Sequence, residues 1–213
     1  QILHFNFIGH FMQQTKLSAN LVGCFTLTLC LALTANPLVA KEWLVDGQAA
    51  YKKAMKAVKA GDNIVLANGT YNNFEILFEG TGTKDKPITL EAETKGQVFL
   101  TGQSNLRLAG KHLVVSGLVF KDGYTPSSAV VSFRSNKDNL AFHSRVTEVV
   151  IDNFSNPDKR ESDYWVAIYG QYNRLDHNYL SGKRNKGVTV AVRLNTEESQ
   201  ENHHKIDLSL IHI

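Results

Sequence analysis

Five short segments combine charged, aromatic or polar residues: Arg134-Ser-Asn-Lys137, His143-Ser-Arg145, Asp163-Tyr-Trp-Val-Ala-Ile-Tyr169, Lys183-Arg-Asn-Lys186 and Arg193-Leu-Asn195. An aromatic face suits a sugar ring, and a guanidinium forms a bidentate pair with a carboxylate, so the combination suits a sugar that carries an acid. Taken singly, each segment reads as solvated charge. Arg193 differs because it ends the apolar strand Val188-Thr-Val-Ala-Val192 and so projects from a rigid element. The run from Asn195 to His204 brings oxygen and imidazole groups together. It lacks both the oxygen set of a hard cation and the His or Cys spacing of zinc, and reads as a polar loop. The sequence contains no glycine-rich phosphate loop, nucleophile elbow or Cys–His pair.

The elements that must carry these groups repeat. An apolar alternation running into a polar turn appears in His112-Leu-Val-Val-Ser-Gly-Leu-Val-Phe120, in Glu148-Val-Val-Ile-Asp-Asn-Phe154 and in Asn173-Arg-Leu-Asp-His-Asn-Tyr-Leu180. It begins again at His204-Lys-Ile-Asp207. Repeats of roughly 20–35 residues, each a strand or two and a turn, are the signature of a β-solenoid. The spacing is too irregular for a propeller, and no Cys-Trp-Cys pattern suggests an immunoglobulin sandwich. The expected fold is all-β: a right-handed parallel β-helix, truncated at its C-terminal end because the last repeat is incomplete. Asn153 and Asn178 are expected at comparable turns of successive coils, where asparagine tolerates the left-handed conformation.

One helix precedes the array. Ala50, Ala54, Met55 and Val58 share a face, with Lys52, Lys53, Lys56 and Lys59 on much of the rest. Asp46 is the expected N-cap and Gly61 the expected stop. Such a helix serves as an N-terminal cap over the first coil's open apolar face. Strands are expected at Asn63–Ala67, Phe74–Phe78, Ile88–Glu91 and Val98–Leu100, separated by turns at Asn68-Gly69, Gly80-Thr-Gly82 and Asp85-Lys-Pro87.

The ends are set apart from this domain, which is expected to span 41–207. Met12, Lys16, the apolar run Leu21–Leu33 and Ala35-Asn-Pro-Leu-Val-Ala40 form a secretory signal peptide over 12–40, with 1–11 as translated leader. The apolar run is shorter than the ~20 residues of a membrane span. Leu208-Ser-Leu-Ile-His-Ile213 breaks the repeat, and its codons match the end of a common sequencing-library transposon. It is set outside the fold, a real final strand being the other reading. Both cysteines, Cys24 and Cys30, lie in the signal segment, so the remainder is held by packing and backbone pairing. Removing the ends leaves 22 basic and 20 acidic residues. That balance argues against a dedicated nucleic-acid binder but leaves room for a local basic groove.

Asn68-Gly-Thr-Tyr71, Lys86-Pro-Ile-Thr-Leu90, Leu100-Thr-Gly-Gln-Ser104, Val115-Ser-Gly-Leu-Val-Phe120 and Lys183-Arg-Asn-Lys-Gly187 resemble polysaccharide lyase family 6, which contains alginate lyases and chondroitinase B. So does the longer stretch Val192-Arg-Leu-Asn-Thr-Glu-Glu-Ser-Gln-Glu-Asn-His-His204. The resemblance implies a secreted or periplasmic bacterial enzyme, with no membrane contact after signal cleavage, acting on an acidic polysaccharide such as alginate. It further implies β-elimination assisted by calcium, held by one Asn and two Glu, with a lysine as base and an arginine as acid. It places all of these beyond Asp207, so no residue here is assigned a catalytic or metal-binding role. Lys183, Lys186 and Arg193 are not substitutes for them. Arg193 and Tyr169 fall where similar enzymes contact substrate. A lyase for dermatan-type glycosaminoglycan and a non-catalytic polysaccharide-binding β-helix are the alternatives.

Overall fold

A computed structural model describes residues 40–194 and 201–212. The expected signal segment and leader, with both cysteines, lie outside the described residues, apart from Ala40, as does the stretch 195–200 of the polar run. Strand β1 (Glu42–Val45) and helix α1 (Gln48–Met55) come first. Three parallel sheets then wind through five complete coils. Sheet A is built from β2 (Asn63–Leu66), β5 (Ile88–Ala92), β8 (Leu113–Ser116), β12 (Arg145–Thr147) and β15 (Arg174–Asp176), with β1 before them and β18 (Lys205–Asp207) after. Sheet B takes β3 (Gly69–Asn72), β6 (Val98–Gln103), β9 (Leu118–Tyr124), β13 (Val150–Asp152), β16 (Tyr179–Ser181) and β19 (Leu210–His212). Sheet C takes β4 (Glu75–Thr81), β7 (Asn105–Lys111), β10 (Ala129–Ser132), β14 (Tyr164–Ile168) and β17 (Val190–Val192), with the short β11 (Ala141–Phe142) also on β7. Parallel pairing of each strand with its counterpart one coil on makes this a parallel β-helix, for which the right-handed crossover is the general rule.

The register explains why the alternation is needed. In sheet A, Ile64, Leu90, Val115, Val146 and Leu175 stand directly above one another. In sheet B the equivalent row is Tyr71, Leu100, Phe120, Ile151 and Leu180. In sheet C it is Ile76, Leu106, Val131, Val166 and Val190. Each coil contributes few inward side chains, and only stacking removes them from water, at about 25 cal/mol for each Å² of apolar surface buried. Helix α1 closes the first coil as expected. Its Tyr51 is buried against Phe74, and the Tyr51 hydroxyl donates to the Leu77 carbonyl at 3.0 Å.

Several expectations need correction. The helix is capped at Gly47 without a side-chain hydrogen bond, so Asp46 is not its N-cap. It ends at Met55 rather than near Gly61. The turn after it is fixed by Asp62, whose carboxylate accepts the Lys59 and Lys41 amides and the Trp43 indole. Gly80-Thr-Gly82 is not wholly a turn, since β4 runs on to Thr81. There Gly110, at φ 115°, passes so close to Gly80 that a Cβ would sit 1.9 Å from the Gly80 carbonyl oxygen. The repeat keeps its register through the fourth coil, and the expected alignment of Glu148–Phe154 is one sheet out of place. Arg145-Val-Thr147 pairs with Arg174-Leu-Asp176, and Val150-Ile-Asp152 with Tyr179-Leu-Ser181. Glu148–Phe154 is therefore not the counterpart of Asn173–Leu180, and Asn153 and Asn178 are not equivalent. Asn153 is left-handed at φ 50°, whereas Asn178 is buried and bonded to backbone. Finally, Leu208–His212 run on in register with the coils before them. Leu210–His212 forms β19 beside β16, Ile211 extends the sheet B row, and the Ser209 hydroxyl accepts the Asn178 amide at 3.1 Å.

Candidate functional site

The cations and aromatics flagged in the sequence divide between two faces. On the outer face of sheet C, Tyr164 opens β14 and Tyr169 follows its last residue, with Ala167 between them. Both tyrosines pack in one small cluster with Ala129, Ala167 and Leu140, separate from the interior core. The alanines leave room for the rings to lie down on the sheet. The Arg134 guanidinium stands 3.8 Å over the Tyr169 ring. Arg193 lies 5.2 Å from the Tyr164 ring centre and donates from Nη1 to its hydroxyl at 2.6 Å. Arg193 is carried there by β17, which pairs with β14, and its own amide bonds the Ile168 carbonyl at 2.8 Å. The two residues singled out by sequence thus share one surface. Tyr169 is buried and underlies Arg134, so an incoming ligand meets the guanidinium first. Tyr164 was missed as a partner for Arg193, because 29 residues separate them.

The other flagged segments are structural. Arg145 and Arg174 stand side by side on the outer face of sheet A and share the carboxylate of Asp176, whose side chain is fully buried. Burial alone would raise the Asp176 carboxyl. Hydrogen bonds from Arg145 and His177, and the charges of Arg145 and Arg174, outweigh it and hold the group below the usual carboxylate range. Arg174 also bonds both oxygens of Asp207, at 3.2 and 3.1 Å. Lys183 is buried with Asp163 and Asn185, at 2.5 and 2.9 Å.

The corner before β8, β12, β15 and β18 holds two ladders that the sequence did not suggest. His112, His143, Tyr172 and His203 all adopt left-handed backbone, with φ between 50° and 56°. Their rings stack at 5.0, 4.8 and 4.9 Å. Just inside, the Ser144 hydroxyl, the Asn173 carboxamide and His204 Nδ1 accept the amides of Leu113, Ser144 and Asn173 in turn. Burial holds the His204 imidazole below its ordinary pKa. Three residue types fill one position, so no repeat in the letters marks it.

The family model described as Chondroitinase B matches residues 45–211. The chain belongs to the chondroitinase B family, within polysaccharide lyase family 6. Among solved structures, the PL6 family alginate lyase AlyGC is 67% identical with a TM-score of 0.76, over 78% of this chain and 23% of its own length. A mannuronic acid specific polysaccharide family 6 lyase from human gut microbiota is 32% identical with a TM-score of 0.73, over 78% of this chain and 39% of that one. The PL6 family lyase Pedsa3628 from Pseudopedobacter saltans, 24% identical with a TM-score of 0.60 over 79% of this chain and 46% of its own, supports the fold alone. Among curated proteins nothing matches.

The chain therefore spans less than half the length of these chondroitinase B family relatives. Among the described residues no three of His, Cys, Asp and Glu come together as metal ligands. They do not fit the calcium that the family resemblance implies. What the outer face of sheet C presents is two guanidiniums set against tyrosine rings.

Proposed function

We propose that this chain forms the N-terminal coils of a secreted alginate lyase, and that its own share of the work is to hold the acidic polysaccharide. The observation that carries this is the 67% identity to an alginate lyase over 78% of the chain. In β-elimination a base takes the C5 proton of a uronate, the C4–oxygen bond breaks, a C4–C5 double bond forms and the departing oxygen takes a proton. The carboxylate must be neutralised for this to proceed, and among the described residues no cluster of acidic or imidazole groups could hold a metal for that task. Within the present chain, Lys183 is an unsuitable base because its ammonium is buried between Asp163 and Asn185. Arg193, beside Tyr164, is placed to pair with a uronate carboxylate while a sugar ring rests nearby.

The test uses the full-length protein with polymannuronate, mixed alginate and dermatan-type glycosaminoglycan in parallel. Ultraviolet absorbance of the unsaturated ends reports cleavage. Cleavage of alginate, abolished by a calcium chelator, is the expected result. Cleavage of the glycosaminoglycan alone would replace this reading with the one suggested by the family model's description. The present chain on its own is expected to form no double bonds.

A further inference from the structure

The proposed function leaves unused a groove at the N-terminal end of sheet C. Helix α1 lies beside β4, and between them opens a cavity of about 560 Å³. Its floor is apolar, made by Met55 and by Leu77, which is 39% exposed. Its rim carries Lys52, Lys56 and Arg107 against a single carboxylate, Glu75. Glu75 takes one Arg107 Nη2 at 3.3 Å, but Arg107 Nε is buried with no hydrogen-bond partner. Among the described residues, neither Lys52 nor Lys56 belongs to an ion pair.

Unsatisfied cationic donors around an apolar floor select a ligand that is flat and apolar on one side and anionic at its edge. A purely apolar partner would leave the rim cations without an anion to pair with. A neutral sugar would gain nothing from the lysines. A sugar ring bearing a carboxylate satisfies both, its face on Leu77 and Met55 and its acid on the rim.

We propose that the groove between α1 and β4 is a second binding site for a carboxylate-bearing saccharide chain. This rests on the reading of the substrate as an acidic polysaccharide. Leu77, Arg107, Ser132, Ala167 and Ala191 form one row across sheet C. From β7 to β17 is three strand spacings, about 14 Å. One long chain reaches both the groove and Arg193, whereas a short oligosaccharide occupies only one. Linking the two contacts makes the second intramolecular and favours long chains.

The experiment uses the full-length protein and labels lysine amines with an acetylating reagent, read by mass spectrometry. Pentamannuronate is expected to slow labelling of Lys52 and Lys56 several-fold, and cellopentaose to leave it unchanged. Equal labelling with and without pentamannuronate, or equal protection by cellopentaose, overturns the proposal. The triple variant Lys52→Glu, Lys56→Glu, Arg107→Gln, checked for an unchanged melting temperature, should raise KM for polymeric alginate about tenfold, the loss of one charge-assisted hydrogen bond. Its kcat and its kinetics on trisaccharide should not change, and an unchanged KM for polymer overturns the proposal. If the wild-type enzyme leaves alginate uncut, the functional reading fails, while the labelling still decides the groove.

Discussion

Arg174-Leu-Asp176 and Arg193-Leu-Asn195 read almost alike, yet the two arginines stand on different sheets. On sheet A, Arg174 is flanked in register by Arg145 and Lys205, and the carboxylates of Asp176 and Asp207 lie two residues along the same rungs. Its charge is absorbed by its own fold. On sheet C, Arg193 emerges beside a strand that offers Tyr164, Ala167 and Tyr169. It bonds a tyrosine hydroxyl and, among the described residues, no carboxylate. An arginine on a solenoid is thus structural or available according to what the neighbouring coils place on its rung. Its own flanking sequence does not decide the matter.

The contrast predicts separable effects. Asp176→Ala strands Arg145, Arg174 and His177 around an emptied site and should cost about 3 kcal/mol of stability, measured by urea unfolding. A loss below ~1 kcal/mol would break the distinction between the two faces. Asn173→Ala removes one acceptor and two donors that serve Ser144, Ala141 and Tyr169, and should cost about 2 kcal/mol. Arg193→Ala should leave stability within ~0.5 kcal/mol. In the full-length enzyme the same change should raise KM for alginate about tenfold with kcat little altered. A stability loss matching that of Asp176→Ala would mean that sheet C arginines are structural too.

The smallest effect is acid sensitivity. His204 is held neutral by burial, and its Nδ1 must stay unprotonated to accept the Asn173 amide. His112 is lowered likewise, by burial and then by His143 and Lys111. Groups whose folded pKa lies below the unfolded value contribute stability that is full above pH ~6.5 and lost as the pH falls through the folded value. The melting temperature should therefore drop between pH 7 and 5. The carboxyl of Asp176 should add its own loss only at lower pH, as the pH falls through its depressed value. His204→Gln should blunt the first of these drops and leave the second.

Much of the fold is legible in the sequence because a solenoid writes its core as local alternation. The cap helix, four early strands and the position of Arg193 at a strand end follow from neighbouring residues. The sheet assignment in the fourth coil does not. Arg145-Val-Thr147 and Val150-Ile-Asp152 each turn one fully buried apolar residue inward, so the pattern cannot say which sheet a three-residue strand joins. The inner corner ladder is hidden because serine, asparagine and histidine accept the same kind of hydrogen bond there. The Tyr164–Arg193 contact and the groove under α1 are hidden for a different reason. Both bring together side chains that are a coil or more apart along the chain.

The stacked rungs of the coils bear on how such proteins change over time. Because each coil pairs only with the coils before and after it, one can be gained or lost while the rest keep their backbone contacts. Each one would lengthen the outer face by a fixed step of ~4.8 Å. Coil number then acts as a ruler, and descent with altered coil count would retune the length of saccharide gripped without redesigning any contact.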